Sequence, residues 1–222
     1  MAVETPVVVF MVEPGEAWLD VIIDNPPTGT PAVENEIERR ATGTSAWTRV
    51  AVVTSGSRWR DHTGASGAGY EYRVRAVPST GPGAYSKTLK VTAPVLTGSW
   101  IHAAIAPAAT IRAFPYLAGD RTESLGVELT GFQLLGRPRP VYESSEFETL
   151  ELALSYTIPF GADHAAAVQW WRDCVRARAV VLYRDGRGRR EYGVFGEVQI
   201  ADARSGSTVT AKLMAADFTE AV

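Results

Sequence analysis

Between Asp163 and Val198 an amphipathic helix runs directly into a β-hairpin, and this unit limits the folds open to the chain. From His164 to Ala177, the residues Ala167, Val168, Trp171, Cys174 and Val175 recur at three- and four-residue spacing, with Trp170 on their border. Gln169, Arg172, Asp173 and Arg176 take the opposite side. That is the period of a helix with one apolar stripe. Asp163 stands where a side-chain oxygen caps a helix N-terminus. The chain then reads as a strand from Ala179 to Arg184, turns at Asp185-Gly186-Arg187-Gly188, and returns as a strand from Arg190 to Ile200. A lone striped helix must bury its stripe against a sheet, so these segments predict a helix laid over antiparallel strands.

The neighbouring segments supply the sheet. From Phe147 to Ile158, the residues Leu150, Leu152, Leu154 and Tyr156 alternate with Thr149, Glu151, Ala153, Ser155 and Thr157, which predicts a long strand ended by Pro159-Phe160-Gly161. Thr208–Met214 predicts a last strand, and Val127–Leu135 an earlier one. Gly136-Arg137-Pro138-Arg139-Pro140 cannot sit in a central strand and predicts a loop or arm. The expectation for residues 96–222 is an α+β split β-barrel with one helix at 163–177. Residues 99–124 have weak periodicity and are left unplaced.

The first 95 residues differ in kind. Short alternating runs lie between turn residues: Val7–Val12 closed by Pro14-Gly15, Leu19–Ile23, Glu34–Arg39, a run from Trp47 through Val52, Ser57–Asp61, Tyr70–Ala76 and Tyr85–Val91. About seven strands without a helix predict a two-sheet β-sandwich. Core packing is the expectation for Trp47, Trp59, Tyr70 and Tyr72. Trp18 and Trp59 stand beside turns or charges and are the candidate surface aromatics, suited to stacking on a sugar. The acids from Glu34 to Glu38 read as the solvated face of a strand. Thr92–Gly98 reads as a short stiff hinge between the halves.

The strings LDVIIDNP, EIERR, AWTRVAVV, GYEYRVRAV and GAYSKTLKV resemble a fibronectin type III domain. That resemblance implies a tyrosine bonded back to the chain at a corner, with Tyr70 the candidate. Where the family carries a Trp on its second strand, this chain has Ile23. The strings GRPRPVYESSEFETLELALSYTIP, WWRDCVRARAVVLYRDGRGRREYGVFGEV and VTAKLMAADF resemble minor tail proteins of long-tailed bacteriophages, of the distal-tail or hub type with a tail-tube-like barrel. The second resemblance spans roughly Leu125–Phe218 and implies a structural virion protein, assembled in the host cytoplasm and located in the virion tail. It further implies a homo-oligomeric ring, with a hexamer favoured over a trimer, and other tail proteins (tail tube, tape measure, hub) as partners. The sandwich would project as a spacer or bind a host cell-surface glycan. The alternative is a carbohydrate-binding or adhesion module outside any tail.

Composition narrows the chemistry. A net charge of −3, with signs balanced in each half, gives no field to gather nucleic acid. The lone Cys174 rules out an intramolecular disulfide and a Cys-based zinc knuckle. The N-terminal apolar run from Pro6 to Val12 has an acid on each side and no basic flank, unlike a signal peptide, and no apolar run approaches a membrane span. His62, His102 and His164 are scattered, with no second ligand at metal spacing. There is no nucleophile elbow, P-loop or dinucleotide fingerprint. Asp185–Gly188 leads into a strand, not a helix, so it lacks the helix N-terminus that holds a phosphate. Glu143, Glu146, Glu148 and Glu151 line a strand without a sign of the buried carboxylate that paired-acid hydrolysis needs. The expectation is a non-enzymatic protein with no cofactor and no metal.

Arg178, Arg184, Arg187, Arg189 and Arg190 remain, with Arg176 beside them. Interleaved acids and the absence of alternating aromatics argue against a nucleic-acid platform. A solvated cluster at the C-terminal end of the helix dipole accounts for them without a partner. A subunit interface is the alternative, since Arg favours interfaces. These five are the candidate interface residues, with Glu146 and Glu148 of a neighbouring copy as their counterparts.

Overall fold

A computed structural model describes residues 5–12, 16–26, 29–56, 58–115, 117, 119–133, 135 and 138–222, with backbone alone at 12, 128, 129, 142 and 144–147. The expected features at Pro14-Gly15, Ser57, Gly136-Arg137 and the Glu146 side chain lie outside the described residues. The chain is mainly β, and every strand pair is antiparallel.

The first half is a sandwich of two sheets. One holds β1 (Val7–Val12), β2 (Leu19–Asp24) and β5 (Arg58–Asp61) in the order β1-β2-β5. The other holds β3 (Glu34–Ala41), β4 (Thr48–Thr54), β6 (Gly69–Val77) and β7 (Leu89–Thr92) in the order β4-β3-β6-β7. The period-two pattern is realised on β6, where Tyr70, Tyr72, Val74 and Ala76 are buried. Tyr70, Tyr72 and Val74 meet Leu19, Val21, Ile23 and Ile37 in one core. The Tyr70 hydroxyl accepts the Ala65 N–H at 2.9 Å, the corner bond expected of it. The seventh strand is shorter than expected, since Tyr85 joins by a single bridge to Arg75 and regular pairing begins at Leu89.

Two expectations fail on the outer face of the four-stranded sheet. Trp47 is not in the core: the Arg40 and Arg73 guanidiniums each lie 4.4 Å from its ring. Two acids of β3 are paired rather than simply solvated, Glu36 with Arg49 and Arg75, and Glu38 with Arg73. The register places Glu36 opposite Arg75 and Glu38 opposite Arg73, and cross-strand neighbours of opposite charge attract.

The second half is a seven-stranded sheet in the order β10-β11-β14-β13-β12-β8-β9. Its strands are β8 (Ser99–Ala103), β9 (Arg112–Phe114), β10 (Thr122–Phe132), β11 (Val141–Pro159), β12 (Val181–Asp185), β13 (Arg190–Ala203) and β14 (Gly206–Ala215). A short helix α1 (Pro107–Thr110) links β8 to β9. Residues 99–124, unplaced from sequence, thus supply one edge of the sheet and the start of the other. Leu117, just past β9, bridges to Tyr156 on β11, so the sheet curls until its ends approach.

Helix α2 (His164–Ala177) packs on the curl with the expected face. Trp171 is fully buried, with its ring 5.0 Å from both Phe114 and Phe195 and 6.0 Å from Tyr156. Cys174 packs at the edge of this core, and burial pushes its thiol up to about 12. The Asp163 side chain makes no cap hydrogen bond; only its backbone carbonyl engages the helix, through Ala167 N–H. At the other end Arg178 sits in the left-handed region at φ 49° and closes the helix with a bond from its N–H to the Val175 carbonyl.

Candidate assembly interface

The predicted arginines do not share one surface. Arg184 is buried, and its guanidinium points into the sandwich, donating to the Gly64 carbonyl at 2.9 Å and the Ala17 carbonyl at 2.8 Å. Arg190 donates from Nε to the Thr63 carbonyl at 2.6 Å and pairs with Glu220. Arg189 pairs with Glu123 at 2.7 Å. Arg187 and Arg178 are exposed. As subunit-interface residues Arg184 and Arg190 are therefore corrected: both are spent inside the chain, joining its two halves. The reason is the hairpin's position. The Gly186 N–H donates to the Gly98 carbonyl, and a Cβ on Gly186 would lie 2.5 Å from the Leu96 carbonyl oxygen. Only glycine admits that approach. The Asp185 carboxylate accepts the Arg187 and Arg189 N–H groups and so shapes the turn from within.

The segment 92–98 is likewise no free hinge. Ala93, Pro94 and Leu96 are buried, the Leu96 N–H donates to Ser66 Oγ at 2.9 Å, and the Gly67 N–H donates to the Pro94 carbonyl. Sandwich and barrel therefore meet along a polar seam. The sandwich presents a row of carbonyls at Ala17, His62, Thr63 and Gly64. The barrel presents Arg184, Arg190 and His102.

The chain's last described residues return to close this seam. Glu220 receives donors from Arg39 of the sandwich and from Arg190 and Tyr192 of the barrel. Val222 exchanges two bonds with Arg49, and Phe218 packs 4.7 Å from the Tyr192 ring. Arg39 also pairs with the fully buried Asp61 at 2.5 Å, which accepts the Tyr72 hydroxyl at 2.6 Å. Burial opposes both charges of this pair. Even so, Asp61 and Glu220 hold the Arg39 cation above its ordinary range, while Arg39, Tyr72 and Thr63 hold the Asp61 carboxyl far below its own. Such a pair carries no catalytic proton near neutrality.

Trp18 and Trp59 do not form a platform. Trp59 packs against the sandwich core and lines a cleft of about 380 Å³ under the returning segment, with Tyr192 and Phe218. Trp18 is half-buried, its indole nitrogen enclosed and its ring 5.4 Å from His62. His62 and His102, read as scattered, are brought within 6.3 Å of one another by the seam. No spacing in the sequence could have shown this, since the two lie on different halves. No group of three or more metal-ligating side chains occurs among the described residues. No helix among them is long and apolar enough to cross a membrane.

The surface that remains open lies at the far edge of the barrel. Strand β11 pairs with β14 only from Glu151 onward; from Val141 to Leu150 its only strand partner is β10. This ribbon is two strands wide. Leu125, Val127, Phe132 and Val141 on it are exposed, as is Leu135 beyond β10, and so are the acids Glu143 and Glu148. At about 3.4 Å per residue, its ten-residue strand reaches about 30 Å past the last three-stranded pairing.

No protein-family model and no curated protein matches the sequence. Among solved structures, a chain of the virion of a native gene transfer agent particle is similar at 10% identity and a TM-score of 0.35, over 54% of this chain and 92% of that one. The twitchin kinase region from C. elegans is similar at 13% identity and a TM-score of 0.37, over 96% of this chain and 39% of that one. Titin kinase with its flanking domains is similar at 12% identity and a TM-score of 0.36, over 95% and 37%. All three scores fall below 0.5, so the ribbon and the seam are the ground for what the chain does.

Proposed function

We propose that this chain is a structural subunit of a bacteriophage tail tip, a minor tail protein of the distal-tail or hub type, without enzymatic activity. Copies join into a ring through the barrel, a hexamer being favoured over a trimer, and the fibronectin type III-like sandwich stands off the ring as a spacer. The observation that carries this is the β10–β11 ribbon. A two-stranded ribbon is marginal in water on its own, and this one exposes apolar side chains along an unpaired edge. Natural edge strands are normally short, covered or broken by charge. A long edge whose exposed apolar side chains stand among the acids Glu143 and Glu148 fits a strand that another copy covers, and the resemblance of residues 125–218 to phage tail proteins supports reading that assembly as a tail ring. The glycan-binding alternative has less support, because Trp18 and Trp59 are packed into the seam region rather than displayed.

Light scattering on the purified chain, with negative-stain imaging, tests the proposal. A closed ring is expected, and Leu125→Asp with Phe132→Asp should give a folded monomer. A wild-type chain that stays monomeric at high concentration and is absent from particles would overturn it.

A further inference from the structure

The seam holds two buried histidines facing each other across the halves. His62 follows β5 of the sandwich and His102 lies on β8 of the barrel; both are buried. Neither ring nitrogen of His62 has a hydrogen-bond partner. His102 places Nδ1 3.0 Å from the Ala103 carbonyl and Nε2 3.1 Å from the His62 carbonyl. A neutral imidazole carries one N–H and donates to one of these. The charged groups around the pair are Arg184 on β12, Arg60 and Asp61 on β5, and each histidine on the other. The Asp61 carboxylate would favour an added proton, but Arg39, Tyr72 and Thr63 already occupy it. The Arg184 cation stays in place, donating to sandwich carbonyls. A proton added to His62 would thus be a second buried charge with no acceptor to receive it.

We propose that the seam is an acid-sensitive joint: protonation of the His62–His102 pair loosens the sandwich from the barrel while each half keeps its own core. The two cores share no residue, so the halves can part without either unpacking. Burial, the neighbouring histidine and Arg184 push His62 down to about 4. Burial and Arg184, against the pull of the two carbonyls, push His102 down to about 4. Both groups therefore bind protons more readily when released, near the ordinary value of about 6.5. The closed joint is favoured above that value and progressively lost as pH falls toward 4. Each histidine should shift the closed-to-open ratio on the order of 100-fold by pH 4.

Small-angle scattering and limited proteolysis across residues 92–98, from pH 7 to pH 4, read the joint directly. The whole chain should expand and become cleavable in that window, with its far-ultraviolet circular dichroism unchanged. The double variant His62→Phe, His102→Gln should stay closed to a lower pH. Loosening of that variant over the same range would place the cause in carboxylates and overturn the proposal, as would an unchanged radius down to pH 4. If the variant fails to fold, imidazole titration of the wild-type chain by NMR decides. Two histidines that protonate only as the radius grows support the joint, whereas ordinary titration near 6.5 in a closed chain overturns it. Ring formation is read separately at pH 7, so failure of one proposal leaves the other standing.

Discussion

Arg178 is the one described non-glycine residue with a positive φ, and it ends α2. A side chain in that region is strained by about 1 kcal/mol relative to glycine. Its guanidinium is exposed. Arg178→Gly should therefore raise the urea midpoint by an amount equivalent to about 0.5–1 kcal/mol, provided the side chain has no partner in the ring. A ring lost in that variant would assign Arg178 to the interface after all. Asp61 behaves oppositely. Asp61→Asn leaves Arg39 buried beside a weaker partner, and breaking a buried pair costs about 3–5 kcal/mol. Its depressed pKa has a sign as well: the stability it contributes is present above the ordinary carboxylate value of about 3.9 and is lost as pH falls further. That loss lies below the histidine window, so an acid titration should open the seam first and unfold the sandwich in a separate, later step. Cys174, raised by burial, should react slowly with thiol reagents in the folded chain and quickly in urea.

At the level of elements, α2 and the ribbon differ in how much of them could be read beforehand. The stripe of α2 was legible because a 3.6-residue period comes from local geometry alone, and Val168 and Trp171 face the core as that period requires. Trp171→Ala should cost about 3–5 kcal/mol by emptying the centre of the curl. The alternation on β11 was legible for the same reason, with Leu152, Leu154, Tyr156 and Ile158 all buried. Alternation does not reveal where pairing stops. From Val141 to Leu150 the strand continues while its second neighbour ends, which depends on the length of β14, a distant segment. Hydrogen exchange should find the amides of residues 122–132 and 141–150 exchanging faster than those of 151–159 in the monomer. Protection of the ribbon on assembly is the matching expectation; a ribbon that stays unprotected in a ring would mean that another surface joins the copies.

For the molecule as a whole, two halves of different architecture were foreseen, and their junction was not. Each half declares itself through local repetition: short strands between turns in one, a helix between long strands in the other. The junction is made of single residues far apart in sequence. Arg184 reaches the carbonyls of Ala17 and Gly64, and Glu220 reaches Arg39. The arginine cluster looked like a patch because its members are close in sequence, yet the fold sends Arg184 and Arg190 inward and leaves Arg187 outside. At neutral pH the joined halves should melt in one calorimetric transition, and cutting the chain between 92 and 98 should leave both pieces associated. Two well-separated transitions at pH 7 would show the seam to be weaker than its bonds suggest.

The glycine at 186 has a consequence for how such a chain could be remodelled. Sandwich modules are often treated as interchangeable cassettes, swapped by cutting at the segment that precedes the next domain. Here the incoming module would have to leave the Leu96 carbonyl against a hairpin that admits no side chain. It would also need free backbone oxygens where Ala17, Thr63 and Gly64 now offer theirs, and a basic residue in the place of Arg39. A transplant that ignored these positions would leave Arg184 enclosed without an acceptor. The sandwich and the barrel are therefore bound to change together, as a matched pair rather than as parts drawn from a common stock.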